Sequence, residues 1–237
     1  CTDIFDEFME ANGLYAIALS DRTDEEILKH FIAAKLPKRL VSDFLVSFDA
    51  ISNPIAIRSS SLLEDSQYQP FAGIYSTYMI PYVDDKYEMV RLLSNAIKAV
   101  YASVFYKESK AYISVTQNLI DQEKMAVVLQ EVVGSEYGEN FYPAISGVAR
   151  SINYYPIGNE EPEDGIVDIA MGLGKYIVDG STGLRFSPLH PQNILQLSTP
   201  ELALRDTQTH FYALDKDSIS KEITTDDSFN LVKLTVQ

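Results

Sequence analysis

The stretch NPIAIRSSSLLEDSQYQPFAGIYSTYMI, Asn53 to Ile80, decides the interpretation of the chain. Its first part, Pro54 to Ile57, is an apolar run that predicts a buried strand. Arg58 follows at the predicted strand end, ahead of three serines, two acids and a loop that closes on Gly73. A second run, Ile74 to Ile80, predicts another strand. A cation and hydroxyls at one strand end, with a glycine ahead of the next strand, make this loop a candidate binding loop.

The segment before this loop predicts helices. Thr2 is placed to cap a short helix that stops at Gly13. Thr23 and Glu26 have the spacing of a capping box, which predicts a second helix start. Pro37 suits the first turn of a third helix.

The longest predicted helix covers residues 85–106, with Asp85 and Glu88 at its start. Its apolar residues recur at helical spacing: Val90, Leu93, Ile97, Val100 and Val104. The continuous apolar run from Lys124 to Val133 predicts a central strand. We expect this helix to pack against the three predicted strands.

The second half of the chain has weaker patterns. The run YPAISGVARSINYYP predicts a strand broken at Gly147. The run GIVDIAMGLGKYIVDG predicts a strand, a turn at Gly172 and Gly174, and then a helix or strand that ends at Gly180. Three prolines after Ser187 predict an extended, loop-rich segment: Pro188, Pro191 and Pro200.

Together these elements predict an α+β fold, with mixed α/β content. The sequence divides into a helical N-terminal segment at 1–52, a core at 53–190 and a loop-rich C-terminal extension at 191–237.

The composition of the chain argues against several classes of function. The chain has 237 residues, is 46% hydrophobic and carries a net charge of −15. Such a charge argues against nucleic acid and anionic membrane surfaces as partners. No apolar run approaches the length of a membrane span. The single cysteine, Cys1, allows no internal disulfide and no cysteine metal site, which suits a cytoplasmic protein. The start lacks a methionine and a signal-peptide pattern, so we expect a piece of a longer protein.

Metal and hydrolase chemistry find little support. His30, His190 and His210 are isolated and lack ligand spacing, so no metal site is predicted. A serine nucleophile with a histidine base stays open, although no Gly-x-Ser-x-Gly motif is present.

Phosphate binding has two weak signals. A guanidinium such as that of Arg58 forms bidentate bonds to phosphate oxygens, and a glycine lets backbone amides approach them. The alternative is an ion pair of Arg58 with Glu64 or Asp65 in an ordinary turn. The run Gly172 to Lys175 allows the same two interpretations, a phosphate contact or a tight turn with a solvated lysine. No Walker motif occurs.

Five blocks in order resemble the nucleotide-binding domain of the pyruvate phosphate dikinase and phosphoenolpyruvate synthase family. They are AIRSSSLLEDSQYQPFAGIYSTYM, YASVFYKESKAYI, VVLQEVV, ISGVARS and MGLGKYIVDG. They cover about residues 55–180 of the chain.

The resemblance implies an incomplete ATP-grasp-like fold that holds ATP. It implies that Arg58 contacts phosphate oxygens and that Gly73 and Thr77 lie in the loop over the phosphates. It also implies that Gln130 approaches the adenine edge. Glu131 and Val133 would bond that edge through a backbone C=O and N–H, and Lys175 would lie at the same site.

The sequence also departs from the family pattern. Lys175 stands where the family has a glutamate, and Ala149–Arg150 replaces its Met-Phe pair. The family's Lys-Gly-Gly loop and its Glu-x-Glu-Phe and Gln-x-Arg strands have no counterpart between Cys1 and Gln237. We therefore expect the ligands for Mg²⁺ outside this sequence, and no catalytic residue is assigned.

The resemblance implies a parent enzyme that phosphorylates a carrier histidine from ATP and then converts pyruvate to phosphoenolpyruvate. Pyruvate would bind through other domains, and a homo-oligomer is possible. The isolated chain is expected to be inactive. The alternatives are an ATP-binding regulatory module that has lost catalysis and a family member that phosphorylates another acceptor.

Overall fold

The computed structural model describes residues 2–61, 73–114 and 123–236. It combines helices with antiparallel sheets, so the predicted α+β class is confirmed. The chain forms two compact units, and both are discontinuous in sequence. Unit 1 comprises Cys1–Val132 and Lys216–Asn230, and unit 2 comprises Val133–Asp215 and Leu231–Gln237. The predicted division at residues 52 and 190 stays a prediction.

Helices open unit 1. They are α1 (Thr2–Ala11), α2 (Tyr15–Ala18), α3 (Asp24–Ala33), α4 (Lys38–Ser47) and a 3₁₀ turn (Phe48–Ala50). The predicted capping box is confirmed, because the Glu26 N–H donates to Thr23 Oγ1 at 3.3 Å and the Thr23 N–H donates to the Glu26 carboxylate at 3.2 Å. Gly13, just beyond α1, has a φ of +61°, which favours glycine. Pro37 is the N-cap residue of α4.

A three-stranded sheet and two further helices complete unit 1. These are β1 (Ile55–Ser61), β2 (Tyr78–Ile80), α5 (Lys86–Ser103), α6 (Lys107–Ser114), β3 (Met125–Glu131) and a 3₁₀ turn (Lys216–Ser220). The strand order is β2-β1-β3, with both pairs antiparallel. Asp85 caps α5, since its Oδ1 accepts the N–H groups of Tyr87 at 2.8 Å and Glu88 at 2.9 Å.

The core of unit 1 joins its helices to this sheet. The predicted apolar stripe, from Val90 in α5 to Val104 at its C-cap, is buried along its length. Phe5 of α1 and Phe31 of α3 pack with Phe105, and Ile57 of β1 belongs to the same buried cluster. The predicted packing of the long helix against the strands is therefore confirmed.

Unit 2 contains two antiparallel sheets. Its elements are β4 (Ser135–Tyr137), β5 (Asn140–Tyr142), β6 (Ser146–Arg150), a 3₁₀ turn (Pro162–Asp164), β7 (Ile166–Ala170), α7 (Lys175–Val178), β8 (Leu184–Phe186), a 3₁₀ turn (Leu195–Leu197), α8 (Pro200–Asp206), β9 (His210–Asp215) and β10 (Leu231–Thr235). One sheet has the order β10-β9-β5-β4, and the other has the order β6-β7-β8.

Two strands of the opening stretch differ from their predicted bounds. β1 does not end at Arg58, because Ser59, Ser60 and Ser61 continue to pair with β3. The second predicted strand, 74–80, shrinks to three residues, since only Tyr78–Ile80 pair with β1. Arg58 therefore lies inside a strand rather than at its end.

Three further predictions were wrong. β3 is the last strand of the described sheet rather than a central one, and its second half is exposed. β6 runs through Gly147, which pairs with Ile169, so no break occurs there. The segment after Ser187 is more regular than predicted, because Pro200 starts α8 behind the cap Thr199 and two strands follow.

In the described ranges, no helix has both the length and the apolar character needed to cross a membrane.

Candidate nucleotide-binding site

Arg58 lies near the middle of β1 and is exposed. In the antiparallel register it faces Val128, while Ala56 faces Gln130. Because side chains on one face recur every two residues, Arg58 and Gln130 share a face of the sheet. The Arg58 Nη1 donates to the Gln130 Oε1 at 3.4 Å.

Arg58 makes no ion pair with any residue in the described ranges. Its proposed partners in an ordinary turn, Glu64 and Asp65, lie outside those ranges. An exposed guanidinium beside a neutral amide keeps most of its donors available for an anion.

The three serines after Arg58 do not form one row of hydroxyls. Since side chains alternate along a strand, Ser60 shares the face of Arg58, and Ser59 and Ser61 point to the opposite face. Ser61 is buried. Only Ser60 of the three can therefore join Arg58 in a common binding surface.

The side chain of Glu131 has a structural role. Its Oε1 accepts the N–H groups of Ser52 at 2.8 Å and Asn53 at 3.1 Å, at the chain entry to β1. These two backbone hydrogen bonds lower the pKa of the Glu131 carboxyl. The carboxylate thus holds the 52–53 turn, and the binding role predicted for Glu131 concerns its backbone.

The backbone of Glu131 points away from β1, to the outer edge of β3 in the sheet of described strands. The Val132 N–H donates to the Pro54 carbonyl at 2.8 Å, so Val132 and Pro54 form a hydrogen-bonded pair. In antiparallel sheets such pairs alternate with pairs whose N–H and C=O groups point outward. Glu131, opposite Ile55, belongs to the outward type. Val133 begins unit 2 two residues along the chain and is 84% exposed.

Gly73 and Thr77 lie ahead of β2. Gly73 is exposed with a φ of +82°, a conformation that favours glycine, and no atom lies within 4 Å of a Cβ built there. The Thr77 N–H donates to the Asp227 Oδ2 at 3.0 Å. The Thr77 backbone donor is therefore occupied by a carboxylate.

Sequence reasoning missed the segment 224–230, which we call the strap. It forms hydrogen bonds with Thr77, Tyr78 and Met79, at the start of β2. Besides the Asp227 bond, the Thr224 carbonyl accepts the Tyr78 hydroxyl at 2.8 Å, and the Asn230 side chain donates to the Met79 carbonyl. The polar run Thr224 to Ser228 is the signal that could have suggested such a strap.

Lys175 lies in unit 2, at the first position of α7. Its Nζ is 3.2 Å from the Asp179 Oδ2, one helical turn further on. Gly172 before it has a φ of +84°, and a Cβ there would lie 2.7 Å from a ring carbon of Phe211. Glycine is thus required at 172 for both conformation and space, while Lys175 is held by a local ion pair.

Two other kinds of site, a metal centre and a serine nucleophile with a histidine base, were also considered in the sequence. Neither has the required arrangement of side chains among the described residues. They contain no group of three His, Cys, Asp or Glu side chains that could hold a metal ion. The His190 Nε2 lies 3.2 Å from the Asp164 Oδ2, and Ser187 pairs with His190 through the backbone. Ser187 is fully buried, however, so this Ser–His–Asp group does not present a nucleophile.

The chain belongs to the family described as pyruvate phosphate dikinase, AMP/ATP-binding domain, which it matches over residues 2–220. The family resemblance of the sequence blocks is thereby confirmed.

Two relatives of this chain are described as phosphotransfer enzymes. An uncharacterized phosphotransferase, YvkC of Bacillus subtilis (strain 168), is 27% identical over 180 residues, which is 76% of this chain and 19% of that protein. A phosphoenolpyruvate synthase of Aeropyrum pernix is 30% identical over 169 residues, 68% of this chain and 18% of that protein. The chain thus spans less than a fifth of the length of either relative.

Proposed function

We propose that this chain is the ATP-binding part of a phosphoenolpyruvate synthase-like dikinase. In the parent reaction, ATP phosphorylates a carrier histidine, and the phosphoryl group then passes to pyruvate. The proposal is supported by family membership and by the similarity to a phosphoenolpyruvate synthase. Pyruvate would bind to parts of the parent protein outside this sequence. A cytoplasmic location and a homo-oligomeric parent remain predictions.

The observation that carries the proposal is the exposed Arg58 beside Gln130 on one face of the sheet. A guanidinium forms paired, charge-assisted hydrogen bonds to phosphate oxygens. Arg58 is thus an exposed cation on a chain whose net charge is −15. The Gln130 amide would complete the polar surface toward the adenine.

We propose that the adenine edge binds backbone groups rather than side chains. The outward-pointing Glu131 C=O would accept from the exocyclic amine, and the Val133 N–H would donate to a ring nitrogen. These groups are two residues apart along the chain, the spacing of same-side groups on an extended strand. In an ATP-grasp-like arrangement, Gly73 and Thr77 would lie near the phosphates, and Lys175 would be a further cation.

Mg²⁺ would neutralise phosphate charge in the parent enzyme. Among the described residues, no group of three His, Cys, Asp or Glu side chains is placed to hold a metal ion, so no residue of this chain is assigned to Mg²⁺. No step of the proposal is therefore assigned to Mg²⁺ within this chain.

The test is equilibrium binding of ATP to the 237-residue chain. Arg58→Ala is expected to weaken binding by roughly 10- to 150-fold, because a charge-assisted hydrogen bond contributes about 1.5–3 kcal/mol. The matched control is Arg22→Ala, which removes the same charge from an exposed pair with Glu26 in unit 1. Unchanged ATP affinity in Arg58→Ala, or no ATP binding by the unaltered chain, would contradict the proposal.

One observation favours a second candidate, an ATP-binding module without catalysis. Lys175 stands at the family's glutamate position and is already paired with Asp179. For an active enzyme, Lys175→Glu is expected to alter phosphoryl transfer. For a binding module, it is expected to alter ATP affinity alone.

A further inference from the structure

Unit 2 contains a cavity of about 280 Å³ that shares no residue with the predicted nucleotide site. It lies among the loop after β6, strands β7 and β8, and the 3₁₀ turn at 195–197. Its volume is slightly below the range typical of drug-sized ligands, so it suits a smaller molecule.

One wall of the cavity contains a buried carboxylate with an unused oxygen. Glu160 is 9% exposed. Its Oε2 accepts the Asn153 side-chain amide at 3.0 Å and the Ile157 N–H at 3.1 Å. Its Oε1 is buried and has no hydrogen-bond partner among the described residues. A buried acceptor without a donor is costly, so this oxygen favours a ligand that brings one.

A second residue that lines the cavity, Arg185, contributes a guanidinium with no partner among the described residues. Arg185 of β8 is half-buried, and its backbone N–H donates to the Gln196 Oε1 at 3.0 Å. Its side chain makes no ion pair or hydrogen bond within residues 2–61, 73–114 and 123–236, although Asp168 lies opposite it in the sheet register. Arg185 and Glu160 do not pair with each other either.

The side-chain amide donors of Gln196 and Asn193 in the cavity are already used. The Gln196 amide donates to the Gly183 carbonyl and accepts from Arg185. The Asn193 amide donates to the Asn159 side chain at 3.1 Å. The rest of the lining is apolar or aromatic: Tyr155, Ile157, Ile166, Phe186 and Leu195.

We propose that this cavity binds a small zwitterion of the amino-acid type with an apolar side chain. The ammonium group donates to the Glu160 Oε1, and the carboxylate accepts from the Arg185 guanidinium. The apolar side chain lies against Ile157, Ile166 and Leu195. A neutral polyol or a singly charged molecule would leave at least one of the two charges without its counter-charge.

The experiment uses L-leucine as the probe, with matched molecules that each lack one charge. Isopentylamine lacks the carboxylate, 4-methylpentanoate lacks the ammonium, and D-glucose serves as a neutral polyol. Binding is followed by methyl NMR of the 237-residue chain. L-Leucine is expected to shift the methyl signals of Ile157, Ile166 and Leu195, with at least tenfold higher affinity than the other three molecules.

Two variants test the two charges. Glu160→Gln keeps an acceptor for Asn153 and Ile157 but replaces the open oxygen by a donor. Arg185→Gln removes the guanidinium. Each is expected to weaken L-leucine binding at least tenfold. The matched controls are Glu163→Gln and Arg205→Gln, exposed side chains outside the cavity that undergo the same charge changes.

Each outcome decides the proposal. Tighter binding of L-leucine, lost in both cavity variants and kept in both controls, supports it. Equal binding of isopentylamine or 4-methylpentanoate overturns it, because one charge would then suffice. Preferential binding of D-glucose, or no methyl shift with any probe at millimolar concentration, also overturns it. Should Glu160→Gln fail to fold, Arg185→Gln and the four probes still decide.

Discussion

The direction of the Arg58 side chain follows from its neighbours in β1. Ile55 and Ile57 are almost fully buried in the core of unit 1, so alternation sends Arg58 to the opposite, exposed face. A slip of one residue would bury the guanidinium and expose both isoleucines. The packing that stabilises the sheet therefore also keeps Arg58 available for a ligand.

The close approach of strands β6 and β7 depends on a single residue, Gly147. It pairs with Ile169 in the β6–β7 ladder, where a Cβ would overlap the Asp168 carbonyl oxygen and lie 2.9 Å from the Ile169 Cγ2. Because the obstacle includes backbone, Gly147→Ala is expected to lower the free energy of unfolding by about 1–3 kcal/mol. Urea unfolding monitored by circular dichroism measures this change.

Gly174→Ala is the control for this prediction. Its φ is −58°, and the nearest atoms to a Cβ there, on Ser146, lie at 3.9 Å, which is ordinary contact. We expect a change within about 0.5 kcal/mol for this variant. Equal stabilities of the two alanine variants would contradict the close approach of β6 and β7.

At the scale of elements, local signals predicted structure well and pairing partners poorly. α5 was predictable because its cap and its apolar stripe are both contained in one stretch of sequence. The extension of β1 to Ser61 depends on β3, which lies more than sixty residues away, so polar serines gave no sign of it. Pro200 was misinterpreted because proline both ends helices and starts them, and the cap Thr199 decides the outcome.

The candidate site, too, contains features that the sequence could predict and features that depend on strand pairing. Arg58 could be chosen from the sequence, but its neighbour Gln130 and the outward-facing backbone of Glu131 depend on the register between two strands. The bond from Thr77 to Asp227 spans 150 positions along the chain and could not be anticipated.

The buried Tyr78 gives β2 a pH dependence. Burial raises the pKa of the Tyr78 phenol to about 12, and its hydroxyl donates to the Thr224 carbonyl. In the unfolded chain a tyrosine titrates near pH 10. The contribution of Tyr78 is thus complete below about pH 10 and is lost as the pH rises toward about 12, because the unfolded state then binds fewer protons.

Tyr78→Phe is expected to reduce this loss. Between pH 10 and 12 the free energy of unfolding should fall by about 1–2.5 kcal/mol less in the variant than in the unaltered chain. Urea unfolding at several pH values measures the difference. Burial also raises the pKa of Tyr101, so some loss should persist in the variant. Identical pH profiles for the two proteins would contradict the assignment to Tyr78.

The whole molecule consists of two units that are interleaved in sequence. The chain leaves unit 1 after Val132, returns at Lys216 and leaves again after Asn230. Segment 216–230 completes unit 1 through the strap, and segment 231–237 completes unit 2 through β10. Short C-terminal segments therefore stabilise sheets that begin far earlier in the chain.

A truncation after Asn230 tests this arrangement. β9 pairs with β10 at five positions, from Leu214 with Leu231 to His210 with Thr235, and with β5 at only two. Removing β10 leaves most of β9 on an unpaired edge, so its amide protection from hydrogen exchange is expected to fall at least 100-fold. Protection of α5 in unit 1 should change little, because the strap ends at Asn230 and is retained.

The control is Lys233→Ala, which alters an exposed side chain of β10 but keeps its backbone pairing. Hydrogen exchange followed by mass spectrometry measures both regions in one experiment. Full protection of β9 in the truncated chain would show that β10 does not stabilise this sheet.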